Sequence, residues 1–166
     1  MPNASWPVTD LSGRFWRILP VAADPLSPAP SPEGRFHHSA QRALYCSPTA
    51  QAAGHAVAPY LRPGDLRLAV PLRLTGARIA DLRDPATLAA LGLQGHETAV
   101  PWLPERAAGQ PATTWRASDA ARAAGACGMI YTARSAPDRW HLVLFRWNTA
   151  SGAQLAPDGP ALPHPH

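Results

Sequence analysis

Between Gly34 and His55 the chain reads GRFHHSAQRALYCSPTAQAAGH, and three of its side chains could together hold an anionic, flat-ringed ligand such as a dinucleotide. Arg35 follows a glycine at a turn, where the backbone can present a guanidinium to a phosphate through two hydrogen bonds. Tyr45 ends a short apolar strand and offers a ring for stacking. His55 lies on a helix of small residues, flanked by alanines and a glycine, where another molecule can approach closely. Each has a plainer role as well: an exposed turn arginine, a core aromatic and a satisfied helical histidine. A fourth candidate, Arg17, sits between Trp16 and Ile18 and faces either solvent or a ligand cleft.

These residues need a scaffold, and the patterning predicts one. GRFWRILP (Gly13 to Pro20) alternates and is rich in aromatic and branched residues, which predicts a strand. Ala22 to Pro32 holds four prolines and two serines, so it reads as a long loop and a candidate ligand flap. Arg42 to Cys46 is a short buried strand. Ser47-Pro48 has the form of a helix start, a hydroxyl cap before a proline, with the helix running to about Ala58. Leu66 to Leu74 and Ala77 to Leu82 read as two strands, Pro71 marking an edge or bulge in the first. Asp84-Pro85 caps a helix that runs through Leu91 and stops at Gly92. Gly95 to Gln110 reads as irregular. Thr113 or Thr114 caps a helix closed by Gly125. Cys127 to Arg134 and Trp140 to Trp147 are strands joined by a polar turn. Residues 1–12 read as a loose arm, 13–150 as one domain and 151–166 as a frayed, Pro-rich tail. Strands outnumber helices without alternating with them. The expected class is α+β, with a twisted, mainly antiparallel sheet and flanking helices.

Composition narrows the function. The chain has 166 residues, 46% of them hydrophobic, which supports one domain with a real core. No apolar run reaches the roughly eighteen residues of a membrane span. MPNASWPVTD has neither a basic start nor an apolar stretch, so cytoplasmic residence is the expectation. The two cysteines, Cys46 and Cys127, read as small buried hydrophobes. Neither they nor the seven histidines show metal-ligand spacing, so no metal is expected. The net charge is +4 and all fifteen basic residues are arginine. Arginine suits phosphate, although GC-rich coding, which the abundance of alanine, proline and glycine also suggests, is the plainer reading of the bias. The arginines are scattered rather than striped, which argues against direct nucleic-acid binding.

The order FWR, long loop, GRF, ALYC, helix, TTW, GMIYTAR and HLVLF, spanning Gly13 to Trp147, resembles the RES domain. That resemblance implies a fold similar to the diphtheria-toxin-like ADP-ribosyltransferases. It also implies a bacterial toxin paired with an Xre-type helix-turn-helix antitoxin, with NAD consumed as substrate. Arg17 matches the arginine of the family's first strand, Gly34-Arg35-Phe36 its Gly-Arg-aromatic turn, and Tyr45 its strand-end tyrosine. Thr132, two residues before Arg134, matches its serine. His55 stands where the family carries its glutamate.

By that resemblance Arg17, Arg35, Phe36 and Tyr45 would bind the dinucleotide, and His55, Tyr45 and Thr132 would act at the reacting centre. The implied activity is mono-ADP-ribosyl transfer to a protein acceptor, and the implied assembly is a hetero-oligomer with the antitoxin. The alternatives are an NAD glycohydrolase and a non-catalytic relative that only binds its antitoxin.

Overall fold

The computed structural model describes residues 5–150 and 152–164. Seven strands form one sheet: β1 (Thr9–Pro20), β2 (Leu44–Cys46), β3 (Arg67–Asp81), β4 (Gly128–Ala133), β5 (Ala136–Leu144), β6 (Gln154–Pro157) and β7 (Leu162–His164). Its main order is β1-β3-β4-β5-β2, and β6 and β7 both add to β3. Among the described residues only the β3–β4 pairing is parallel; the others are antiparallel. Four helices accompany it: α1 (Ala50–Val57), α2 (Pro85–Leu91), α3 (Trp102–Ala107) and α4 (Thr114–Ala123). This is the mixed α+β architecture that the strand-rich sequence predicts.

The two ends of the main order meet. Trp16 N–H donates to the Ser47 carbonyl at 2.7 Å and Ser47 N–H returns the bond at 2.9 Å. The sheet therefore curls round an inner core of Phe15, Leu44, Cys46, Leu72, Leu74, Ile130, Leu142 and Leu144. A second core, with Phe36, Met129, Tyr131, Val143 and Phe145, lies on the outer face of β4 and β5 under α4. Residue parity decides which face a side chain takes. Tyr131 pairs with His141 and Met129 with Val143 on the outer face, whereas Ile130 pairs with Leu142 and Thr132 with Trp140 on the inner one.

Several expectations are corrected. The loose arm gives way to β1 at Thr9, and Trp6 donates its indole N–H to the Ala124 carbonyl at 3.1 Å. The frayed tail is two edge strands on β3, with Leu155 buried in the inner core. Residues 1–4, 151 and 165–166 of that arm and tail lie outside the described residues. The two strands expected between Leu66 and Leu82 are one, β3, and Pro71 falls in the gap between its pairings with β6 and β7. The segment called irregular contains α3. The Pro-rich loop is tied down: Ala29 N–H reaches the Ala43 carbonyl at 2.8 Å and the Trp147 indole reaches Leu26 at 2.9 Å. The cap of α1 is Thr49, whose hydroxyl accepts from Ala52 N–H at 3.0 Å, rather than Ser47.

Candidate functional site

The Gly34-Arg35-Phe36 turn is held by α4 on three successive carbonyls. The Trp115 indole donates to Gly34 at 2.9 Å, the Thr114 hydroxyl to Arg35, and Arg122 Nη1 to Phe36 at 2.9 Å. Underneath, the Tyr45 hydroxyl accepts from Phe36 N–H at 2.9 Å and meets His37 Nδ1 at 2.8 Å. His37 Nε2 lies 2.9 Å from the Ser31 carbonyl, which can only accept, so Nε2 carries the proton and Tyr45 donates to Nδ1. A side chain at position 34 would fall on the His37 ring and 3.0 Å from the Tyr45 hydroxyl, which is why the turn begins with glycine.

This frame aims Arg35 across the outer face of the sheet. Its guanidinium donates to the Thr98 carbonyl and lies 5.0 Å from the ring centroids of both Phe36 and Tyr131. Beside Tyr131, at 5.6 Å between centroids, is His141. His141 is buried, and its Nδ1 is 2.7 Å from the equally buried Ser47 hydroxyl. Burial, with the charges of Arg35, Arg139 and His55 adding to it, pulls the His141 pKa down to about 4. Tyr131 is pushed up by burial, with Arg35 pulling against it. His55, in the last turn of α1, is exposed and close enough to act on His141. The Trp102 indole donates to the Tyr60 hydroxyl at 3.4 Å, linking α3 to the turn after α1.

The structure thus gathers Arg35, Tyr45 and His55 of the predicted set on one side of the sheet. The others it separates. Arg17 lies on the inner face, 6% exposed, with Nη1 donating to the Pro25 carbonyl at 2.6 Å and to Ser27 at 2.8 Å. It buckles the Pro-rich loop to the curled sheet, and burial pulls its pKa down to about 10. Thr132 also belongs to the inner face, paired with Trp140. Phe36 is fully enclosed, so it supports the turn and offers a ligand no surface. Tyr45 is half-buried with its hydroxyl engaged, so only its ring is available.

Ser47, Tyr131 and His141 escape the sequence reading. One signal was present: a histidine among the apolar residues of WHLVLF, in register with a tyrosine on the preceding strand. Among the described residues no group of three or more His, Cys, Asp or Glu is disposed to hold a metal. A hollow of about 260 Å³ between Gln41, Arg42, Arg122 and Arg146 lies elsewhere. Its lining residue Phe145, one position past the end of β5, is four residues from His141, about 13 Å away at strand spacing. There Arg122 and Arg146 are already engaged with backbone carbonyls.

A curled sheet, a clamped Gly-Arg-aromatic turn and a polar cluster beside it define a recognisable class. The model of the RES domain family matches residues 14–165, and the chain belongs to that family. Among solved structures it is similar to a chain in the crystal structure of the M. tuberculosis MbcT-MbcA toxin-antitoxin complex. The TM-score is 0.65 at 18% identity, over 95% of this chain and 86% of that one. No curated protein matches the chain by sequence.

Proposed function

We propose that this chain is the toxin of a bacterial toxin–antitoxin pair, and that it cleaves NAD at the nicotinamide–ribose bond and passes ADP-ribose to a protein. The observation that carries this reading is the Arg35 guanidinium, anchored at Thr98 and poised over Tyr131 beside His141 and His55. Membership of the RES family supports it, as does the likeness to a toxin-antitoxin complex.

In the reaction the C1′–N bond breaks and its electron pair goes to the nicotinamide ring, which leaves neutral. The ribose passes through an oxocarbenium-like state, and an acceptor oxygen, nitrogen or sulfur bonds to C1′ and loses its proton. Arg35 is suited to the pyrophosphate and the Tyr45 ring to the nicotinamide face. His55 can bond a ribose hydroxyl but brings no negative charge to the developing cation, as a carboxylate would. Cleavage is therefore slower than with a carboxylate there, and a slow, selective transfer follows more naturally than bulk hydrolysis. The partner is an antitoxin of the Xre type that covers the cleft.

NAD labelled in its adenylate part tests this. Label on protein bands supports transfer; free ADP-ribose alone establishes the hydrolase reading instead. Arg35→Ala should lower nicotinamide release about 10²-fold or more, and His55→Glu should raise it roughly tenfold. An unchanged rate in Arg35→Ala, with no growth arrest on expressing the native chain, would leave a non-catalytic relative.

A further inference from the structure

His141 is a buried polar residue with half of its hydrogen-bonding capacity used. Its Nδ1 meets the Ser47 hydroxyl, and that hydroxyl has no other side-chain or backbone partner among the described residues. If Nδ1 carried the proton, the buried Ser47 hydroxyl would have no acceptor for its own, at a cost of about 1–3 kcal/mol. Ser47 therefore donates to Nδ1, and the imidazole proton sits on Nε2. Nε2 has no partner among the described residues. Nor is it sealed off, because the one fully enclosed side-chain atom there without a hydrogen bond is Asp158 Oδ2. An unused donor thus remains on a ring that neighbours Tyr131 and lies within electrostatic reach of Arg35 and His55.

We propose that Ser47 and His141 form a positioning pair in which the Nε2–H of His141 grips the carboxamide oxygen of the nicotinamide. This rests on the NAD-cleaving reading and names the group that orients the leaving base. The chemistry selects that acceptor. The bound nicotinamide ring is cationic until its bond breaks, so a donor to its amide works best uncharged. Burial and the neighbouring Arg35 and Arg139 keep His141 in that form. A phosphate is better served by Arg35, a permanent cation.

Two substitutions separate a positioning role from a structural one. His141→Asn places an amide where Nδ1 was and keeps a group for Ser47, but leaves the Nε2 position empty. His141→Gln extends an amide N–H to that position. The readouts are NAD binding, the kcat and KM of nicotinamide release, and the preference for NAD over its analogue with an unsubstituted pyridine. The native chain should prefer NAD about tenfold, one hydrogen bond's worth of discrimination. His141→Asn should raise KM about tenfold and abolish that preference, while His141→Gln keeps most of both. Ser47→Ala, which frees the imidazole to change tautomer, should weaken the preference in the same direction and stands in if His141→Asn does not fold. A folded His141→Asn, or in its place Ser47→Ala, that keeps the native preference overturns the proposal. Loss of preference in His141→Gln equal to that in His141→Asn overturns it too. A native chain that neither binds NAD nor releases nicotinamide removes the parent reading, and this one with it.

Discussion

At the scale of single residues, the site is a study in which polar groups are already occupied. Tyr45 and Ser47 lie two positions apart on the same face of the chain, yet their hydroxyls serve different ends. That of Tyr45 both accepts and donates within the turn's own support, while that of Ser47 fixes a histidine beside the candidate cleft. Burial of His141 has a consequence for stability. Its folded pKa of about 4 is below the ordinary histidine value of 6.5, so the unfolded chain takes up a proton the folded chain refuses. That stability is fully present above pH 6.5 and is lost as pH falls toward 4, by on the order of 3 kcal/mol. Urea midpoints at pH 7, 5.5 and 4.5 check this. His141→Gln should lose less than the native chain across that window, the difference isolating His141 from His37 and the carboxylates that titrate nearby.

At the scale of elements, α4 does for the Gly34–Phe36 turn what a strand partner does for a strand. Its Thr114, Trp115 and Arg122 reach three consecutive carbonyls. Thr114→Val preserves shape but leaves the Arg35 carbonyl without its donor, so a loss of about 1–3 kcal/mol is expected. Hydrogen exchange should rise at residues 34–36 and nicotinamide release should fall with it; unchanged exchange there would show the clamp to be unimportant. Elements with local signals were legible in the sequence. The cap at Asp84, Pro85 and the left-handed Gly92 delimit α2 within a few residues, and the structure agrees. Contacts decided by distant partners were not legible. Ser47 and His141 are 94 positions apart, and Ser47 looked like a cap because its role is tertiary. Arg17 looked ambiguous for the same reason: its partners are loop carbonyls, which carry no side-chain signature.

At the scale of the whole molecule, the late strands β6 and β7 complete a sheet begun by β1. Proline-rich segments make poor strands by themselves, so sequence pattern assigned them to a tail; β3 supplies what they lack. Asp158, just beyond β6, faces Arg73 at 2.9 Å and Arg14 at 3.5 Å. His164 of β7 rests on Gly54 of α1, where a methyl group would come within 2.9 Å of its ring. Leu155→Ala should cost about 2–5 kcal/mol, because its side chain is enclosed by the inner core. A thermal melt reads this directly, and a shift near zero would mean that β6 is dispensable. The same closure sets a timetable for biosynthesis. A ribosome adding about 5–20 residues per second delivers β3 several seconds before the segments that cover its flank. During that interval a long strand stands with open amides and carbonyls, inviting chaperones or a neighbouring nascent chain to pair with it first.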